Sequence, residues 1–183
     1  MRNFFAYSYV DTLAICRSLS KPLITMVQGY ARQGACALAF AGDLIIAADD
    51  ADNGYPAVPN LAGPPGMHVW FLQRLIGRMK AAELIYTGEP ISTLDACSMG
   101  LITKTVPAAS LEAATLRMAA KFAAMSPLAI KRTRKLLFEM KDMAFSEVPD
   151  VALKALSGAF SSEDSRETRL AFREKRPPNW RNK

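Results

Sequence analysis

Residues 21–43 read KPLITMVQGYARQGACALAFAGD and contain the turn on which the fold depends. A short apolar strand runs to Val27, the chain turns near Gly29, and an apolar helix follows with Gly34 in its first turn. A backbone N–H in such a turn lacks an intrahelical partner, and the partial positive charge there favours a developing anion such as a thioester oxyanion. The alternative is structural, because glycines also allow a tight turn and close helix packing. The pattern predicts strand–turn–helix and leaves both interpretations open.

The composition is typical of a globular chain. It has 183 residues, of which 50% are hydrophobic, and a net charge of +6, so it can bury a substantial core. The most apolar run, 37–48, is interrupted by an aspartate and is shorter than the ~20 residues that cross a bilayer. We therefore predict no membrane span and, without a secretory signal pattern, a cytoplasmic location. Cys16, Cys36 and Cys97 lie in apolar contexts, which favours reduced thiols and predicts no metal site.

The positions of Gly, Pro and Ser divide the chain into two parts. Before Pro107 short β-branched strands alternate with helices, whereas beyond it every segment has the pattern of a helix. We predict an α/β fold with a ββα core over residues 1–107 and a helical region over residues 108–183. The predicted strands are Leu23–Val27, Leu44–Ala47 and Leu101–Val106; the predicted helices are Phe4–Ser18, Ala35–Phe40, Val69–Leu75, a short one capped by Ser92, Leu111–Met125, Leu128–Met140, one beginning near Ser146 or Asp150, and Asp164–Lys175.

Three blocks of sequence carry a resemblance to a known family. KPLITMVQGYARQGACALAFAGDLIIAADDADNGYPA (21–57) is similar to the central signature of the enoyl-CoA hydratase/isomerase, or crotonase, family. IGRMKAAELIYTGEPISTLDACSMGLITKTVP (76–107) resembles the segment that follows it there, and EDSRETRLAFREKRPPNW (163–180) resembles the family's ending. The resemblance implies a crotonase-like ββα superhelix with a C-terminal helical oligomerisation region, acting on acyl-CoA thioesters in fatty acid metabolism as a lyase or isomerase.

The sequence departs from this family at its acids. The resemblance implies one glutamate three residues after the oxyanion glycine and a second one about twenty residues further on, and these positions hold Ala37 and Ala57. Some relatives carry an acid eight residues beyond the second glutamate, where Pro65 stands. A methyl group cannot accept or donate a proton, so general acid/base chemistry by a pair of carboxylates is unavailable. We expect hydration to be impaired.

The beginning of the family pattern is also missing. Relatives carry an N-terminal lobe with an A-G-x-D-like loop that supplies the other oxyanion N–H, whereas this sequence opens on the helix-like stretch Phe4–Ser18. The fold is therefore expected to be incomplete at the N-terminus, and only the Gly34 N–H can be assigned to the oxyanion hole. Two explanations are open. The chain is a fragment, an alternative start or a gene remnant, or it is a specialised protein without this lobe.

His68 and Tyr55 are the side chains that we consider as catalytic candidates in addition to the Gly34 N–H. His68 is the single histidine of the chain, and imidazole can replace a missing acid or base near neutral pH. The hydroxyl of Tyr55 can bond a substrate carbonyl. Each has a structural alternative: a satisfied histidine at a helix start, and an aromatic ring packed against a turn. Gln33 and Asn60 are weaker candidates, as amide donors to an acyl oxygen.

Coenzyme A is expected as part of the substrate, with no separate cofactor. The resemblance implies that Phe172 and Lys175 approach the coenzyme A nucleotide of a neighbouring subunit, and that the chain forms trimers, often paired into hexamers. Arg32 is a further candidate for a phosphate contact. The alternatives for these residues are helix packing and solvated charge.

Three other functions are kept as alternatives. One is a non-catalytic binding or assembly subunit, favoured by the two alanines. A second is decarboxylation or thioester hydrolysis, which need less acid/base help. The third is RNA binding through the basic run 131–135. Apolar residues recur at helical spacing around this run, which favours the solvated face of an amphipathic helix and makes nucleic acid an unlikely partner.

Overall fold

The computed structural model describes residues 10–55, 57–61 and 67–183. These residues form two compact units. The first contains residues up to 19 and residues 23–119, and the second contains residues 20–22 and 120–183. The division reflects spatial proximity rather than independent folding, so the predicted domain boundary at residue 107 stays a prediction.

The first unit alternates strands and helices, as the sequence predicts. The strands are β1 (Ile24–Val27), β2 (Tyr30–Arg32), β3 (Leu44–Ala48), β4 (Asp52–Gly54), β5 (Pro90–Ile91) and β6 (Lys104–Val106). The helices are α1 (Thr12–Ser18), α2 (Gly34–Phe40), α3 (Ala57–Leu61), α4 (Met67–Ile76), α5 (Arg78–Thr87), α6 (Thr93–Ser98) and, after a 3₁₀ turn at Ala108–Ser110, α7 (Leu111–Ala123), whose residues up to 119 belong to this unit.

The strands form two three-stranded sheets. In the first, β1, β3 and β6 are all parallel in the order β1-β3-β6, with Ile24 opposite Leu44 and Ile46 opposite Lys104. In the second, β2 pairs parallel with β4, and β4 pairs antiparallel with β5. Two neighbouring parallel strands must be joined by a crossover connection. Helix α2 lies in the connection from β1 to β3 and also in the connection from β2 to β4. Strand β3 is central and is buried from Ile45 to Ala48, as expected of a continuous apolar run in a parallel sheet.

Close packing between β1 and the end of α2 depends on Gly42. A Cβ atom at this position would lie 2.2 Å from Oγ1 of Thr25 and 3.1 Å from the carbonyl oxygen of Ala39. No side chain fits at that distance, so the turn from α2 into β3 requires glycine. Directly after this turn, Oδ2 of Asp43 accepts a hydrogen bond from the backbone N–H of Leu23 at 2.7 Å.

The second unit is helical, as predicted. It contains α8 (Pro127–Glu139), α9 (Val148–Phe160) and α10 (Glu163–Glu174), with 3₁₀ turns at Met140–Asp142 and Phe145–Glu147 between α8 and α9. Ser126 caps α8 by accepting a hydrogen bond from the N–H of Ala129, and Ser162 caps α10 in the same way from Ser165. In the described part of the chain, no helix combines the length and the apolar character needed to span a membrane.

Two sequence predictions differ from the structure. The strand predicted from Leu101 begins only at Lys104, because the N–H groups of Leu101 and Ile102 both donate to the carbonyl oxygen of Ala96 and close the end of α6. The basic run 131–135 is not solvated throughout, since Arg134 is only 4% exposed and its guanidinium lies 4.9 Å from the ring centroid of Phe138. Of the predicted helix Phe4–Ser18, the structure has Thr12–Ser18 as α1, and residues 4–9 lie outside the described residues.

Candidate functional site

The turn between β2 and α2 is built around Gln33. This residue has φ 51° and ψ −116°, in the left-handed half of backbone space that residues with a Cβ atom avoid. Its N–H donates to the carbonyl oxygen of Gly54 at the end of β4, 3.1 Å away, and its own carbonyl accepts from the N–H of Ala37, also at 3.1 Å. The turn is therefore held from both sides, by a neighbouring strand and by the helix it opens.

His68 brings a third element to this turn. Its Nε2 lies 2.5 Å from the carbonyl oxygen of Gln33. Because a carbonyl oxygen only accepts, Nε2 must carry the hydrogen and donate it. The imidazole sits in the first turn of α4 and is 3% exposed. Strand β4 and helices α2 and α4 thus meet at the backbone of a single residue.

Tyr55 lies directly after β4 and is buried against this histidine. Its ring centroid is 4.6 Å from that of His68, edge to face at 79°, and 5.6 Å from that of Phe40 at an interplanar angle of 22°. Edge-to-face and offset contacts of this kind stabilise aromatic pairs. The two side chains predicted as catalytic candidates are therefore in contact with each other, and Tyr55 is 1% exposed. Their proposed catalytic roles stay predictions.

Cys36 is a buried neighbour of the same cluster. Its Sγ donates a hydrogen bond to the carbonyl oxygen of Ala31, 2.7 Å away. Burial raises the pKa of the thiol, and the neighbouring Tyr55 side chain and Gly54 backbone oppose that rise without cancelling it. A neutral, hydrogen-bonded thiol is a poor nucleophile. Cys36 is thus a core residue here, which agrees with the sequence analysis.

Gly34 lies at the surface in the first turn of α2. It is exposed, and a Cβ atom built on it would meet no described heavy atom within 4 Å. Its N–H belongs to the first turn of α2, where the helix itself offers no acceptor. Asn60, the other amide considered, is exposed on α3.

The residues at the positions of the family's acids begin or belong to two different helices. Ala37 has 0% exposure and packs into the hydrophobic core, one helical turn after Gly34. Ala57 is the first residue of α3, two positions after Tyr55. Pro65 lies outside the described residues. Neither position 37 nor position 57 carries a carboxylate.

Arg32 is engaged by a carboxylate of the adjacent strand. Its Nε lies 2.9 Å from Oδ1 of Asp52 and its Nη2 lies 2.5 Å from Oδ2, a bidentate pair at a partly exposed site. This hydrogen bonding with Asp52 raises the pKa of Arg32. A phosphate would have to compete with Asp52, so the predicted phosphate contact at Arg32 would need this pair to open.

The two predicted coenzyme A contacts lie on α10, in the second unit. Phe172 is 86% exposed, far more than a packing residue would be. Lys175 ends the helix in a left-handed conformation, with φ 53° and ψ 37°, and its N–H donates to the carbonyl oxygen of Phe172 at 3.3 Å. Both side chains are available at the surface of this unit. Their role toward coenzyme A stays a prediction.

Sequence reasoning missed the part played by the Gln33 backbone. It treated Gln33 only as a side-chain amide, whereas the structure uses its N–H and its carbonyl. The only signal was the residue type. A glutamine has a Cβ atom, so it adopts a left-handed conformation only where contacts hold it there. Those contacts come from residues 54 and 68, which no local pattern connects to position 33.

Comparison with known proteins agrees with this architecture. The model of the enoyl-CoA hydratase/isomerase family matches residues 3–183. The chain is 34% identical over 166 residues to a probable mitochondrial enoyl-CoA hydratase of Dictyostelium discoideum, covering 90% of this chain and 60% of that protein. It is 37% identical over 166 residues to a probable enoyl-CoA hydratase of Bacillus subtilis, covering 90% of this chain and 64% of that one.

A solved structure shows the same fold. The crystal structure of enoyl-CoA hydratase from Bacillus anthracis superposes with a TM-score of 0.91 at 32% identity, covering 94% of this chain and 67% of the other. The chain thus spans 60 to 67% of the length of these three proteins. The matched span includes the Gln33–Gly34 turn and the helical second unit, and it confirms the crotonase-like α/β fold that the sequence predicts. The chain belongs to the enoyl-CoA hydratase/isomerase family.

Proposed function

We propose that this chain binds an acyl-CoA thioester whose carbonyl oxygen accepts a hydrogen bond from the Gly34 N–H, and that it is impaired in hydration. One observation carries the proposal. Position 37 is a buried methyl group with 0% exposure, whereas a Cβ atom built at Gly34, in the turn before it, would meet no described heavy atom within 4 Å. On this proposal the chain keeps one donor for the thioester oxygen, the Gly34 N–H, and lacks the two carboxylates that would transfer protons.

The loss of both acids decides which reactions fit. General acid and base groups contribute roughly 10²–10⁴-fold each to a reaction rate, so replacing both by alanine leaves little hydration. The Nε2 hydrogen of the imidazole is donated to Gln33, so only Nδ1 is left to exchange a proton with a ligand. Decarboxylation or thioester hydrolysis, in which stabilisation of a developing oxyanion lowers most of the barrier, fits the remaining groups better.

The second unit supports binding of the nucleotide part of the substrate. The charge of Lys175 and the exposed ring of Phe172 offer a cation to a phosphate and apolar area to a base. Both side chains are exposed, so contact with coenzyme A requires no rearrangement of α10. By analogy with the family, we propose that they contact the coenzyme A nucleotide bound by a neighbouring subunit.

A non-catalytic assembly subunit is the second candidate, and α9 favours it. This helix buries none of its side chains, and Leu153, Leu156 and Phe160 are more than half exposed along it. Exposed apolar faces of this kind mark interfaces. We propose that the chain self-associates through this face, as a trimer or a hexamer. A single species of 20.0 kDa in light scattering at micromolar concentration would contradict self-association.

The function is tested with purified protein and two measurements. Crotonyl-CoA hydration is expected at or near background, and calorimetry is expected to show binding of a non-reactive acyl-CoA. Robust hydration would overturn the impairment, and absence of binding would favour the assembly subunit. Restoring the acids in the Ala37→Glu/Ala57→Glu double variant is a further test, with thermal unfolding as its control because position 37 is buried.

A further inference from the structure

We propose that His68 is a positioning residue, which orients and polarises the Gly34 N–H by donating a hydrogen bond to the carbonyl group of Gln33. The inference rests on the proposed function, because it concerns the N–H that would meet the thioester oxygen. It assigns a role to a buried histidine that the chain could otherwise use as an acid or a base.

The argument begins with the peptide group that joins Gln33 to Gly34. The carbonyl of the first residue and the N–H of the second belong to one planar unit, and in the trans form they point in opposite directions. This peptide is trans, since the described residues contain no cis peptide bond. Any contact that fixes the direction of the Gln33 oxygen therefore fixes the direction of the Gly34 hydrogen.

Two donors hold that oxygen, and they come from different helices. The N–H of Ala37 in α2 lies 3.1 Å away, and Nε2 of His68 in α4 lies 2.5 Å away. The bond from Ala37 is the ordinary first bond of the helix. The bond from His68 is additional, and it ties the turn to an element 35 residues further along the chain.

The turn needs this additional restraint. Gln33 is left-handed at φ 51°, a conformation that a residue with a Cβ atom keeps only where its surroundings impose it. The bond from its N–H to Gly54 restrains one side of the residue, and the bond from His68 restrains the other. Without the imidazole, the Gln33 oxygen would keep only the bond from Ala37, and the direction of the Gly34 N–H would be less tightly fixed.

The same bond makes the Gly34 N–H a stronger donor. A hydrogen bond accepted by a carbonyl polarises the whole amide, and such chains strengthen each partner bond by about 10–30%. The effect is larger away from water, and His68 is buried with the Tyr55 ring packed on it at 4.6 Å. The Tyr55 ring thus shields the imidazole from water and restrains its orientation.

The experiment compares two substitutions of the histidine. His68→Phe keeps a ring of similar size but no N–H, whereas His68→Gln keeps an amide N–H near the position of Nε2. The first readout needs no ligand: the ¹⁵N chemical shift of the Gly34 amide should move in H68F and return toward the wild-type value in H68Q. The second is the infrared carbonyl band of bound crotonyl-CoA labelled with ¹³C at the thioester carbon. Its downshift on binding should be about 10–30% smaller in H68F than in the wild type, and close to wild type in H68Q.

The outcomes separate this inference from the proposed function. If wild type and H68F give the same Gly34 signal and the same carbonyl downshift, the positioning role is wrong and the proposed function stands. If the wild type binds crotonyl-CoA without a downshift, or does not bind it, the proposed function fails, and the ligand-free amide signal still decides the role of His68. Should H68F not fold, histidine-ring ¹⁵N spectra of the wild type decide instead, because a ring whose Nε2 carries no hydrogen would overturn the proposal.

Discussion

The carboxylate of Glu167 accepts two hydrogen bonds from the guanidinium of Arg176, at 2.6 Å from Nη1 to Oε1 and 3.2 Å from Nη2 to Oε2. Its Oε1 also accepts from the backbone N–H of Asn179 at 2.7 Å. The Glu167 side chain therefore connects α10 to residues 176 and 179, which follow this helix. The hydrogen bonds from Arg176, then that from Asn179, lower the pKa of Glu167 from 4.5 to about 2.

Acid should release this connection in a defined range of pH. A carboxylate whose pKa is lower in the folded state stabilises that state above its unfolded pKa, and the contribution is lost as the pH falls through the folded pKa. For Glu167 the loss runs from about pH 4.5 down to about pH 2. The Glu167→Gln variant should be less stable than the wild type at pH 7, and the difference should shrink across this range. Urea denaturation at several pH values measures it.

Glu163→Gln is the matched control for that series. Glu163 is an exposed carboxylate of the same helix, so its replacement changes the charge of α10 and leaves the Arg176 pair intact. If E167Q and E163Q show the same dependence of stability on pH, the Arg176 pair does not provide the acid sensitivity.

A second connection depends on Asp164, which is nearly fully buried. Its Oδ2 accepts from the Ser126 hydroxyl at 2.6 Å, and its Oδ1 accepts from the N–H groups of Arg181 and Asn182 at 2.8 and 3.0 Å. Burial alone would raise the pKa of this carboxyl, but these hydrogen bonds outweigh it and the pKa is lowered. Asp164→Ala should lower the free energy of unfolding by about 2–3 kcal/mol, because several donors lose a partner at once.

Amide hydrogen exchange should locate the damage in that variant. Exchange at residues 181 and 182 should speed up in D164A, while exchange in α8 should change less. The matched control is Ser162→Ala, which removes the cap of α10 and should cost about 1 kcal/mol without affecting those two amides. Stability of D164A within about 0.5 kcal/mol of the wild type would show that the buried carboxylate contributes nothing beyond an ordinary surface residue.

Gly42→Ala should destabilise the first unit by about 1–3 kcal/mol, the usual cost of forcing an extra methyl into a packed site. The new Cβ atom would lie 2.2 Å from Oγ1 of Thr25. Adding Thr25→Ala should recover part of the loss, although Thr25→Ala alone removes a hydrogen bond to Ala39 and is destabilising. Gly34→Ala is the control, since it meets open space and should not lower stability. Additive losses in the double variant would argue against this clash.

Lys175→Asn should weaken acyl-CoA binding and reduce its dependence on salt, because it removes one cation that we propose meets a phosphate. Asparagine tolerates the left-handed conformation that position 175 adopts, so thermal stability should stay within a degree or two of the wild type, as expected for surface substitutions. Lys131→Asn, on the exposed side of α8, is the matched control and should leave acyl-CoA affinity unchanged.

The same titrations decide the RNA alternative. Binding of RNA that falls steeply with salt and is lost in K131N, with no signal for acyl-CoA, would contradict the proposed function. Equal acyl-CoA affinity in the wild type, K175N and K131N would remove Lys175 from the binding site.

Much of the fold could be predicted from local patterns. The β-branched runs at Ile24–Val27 and Leu44–Ala48 are strands, and Ser92 caps the short helix that follows it. These features depend on a few neighbouring residues, so periodicity and capping signals identify them. The start of β6 could not be predicted, because it depends on two N–H groups that turn back to Ala96 instead of joining the sheet. The burial of Arg134 was also not predicted, because it depends on the ring of Phe138, one helical turn later, packing against the guanidinium.

For the site, the sequence by itself determined what chemistry is missing. The methyl groups of Ala37 and Ala57 cannot accept or donate a proton in any conformation, so the lack of acids at these two positions needed no structure. Only the tertiary structure decided what the retained groups do. The hydrogen of His68 Nε2 is directed at Gln33 because α4 packs beside the β2–α2 turn, and Tyr55 covers it because β4 ends there. Contacts between residues 35 positions apart follow from how the elements pack, and no local pattern of residues encodes them.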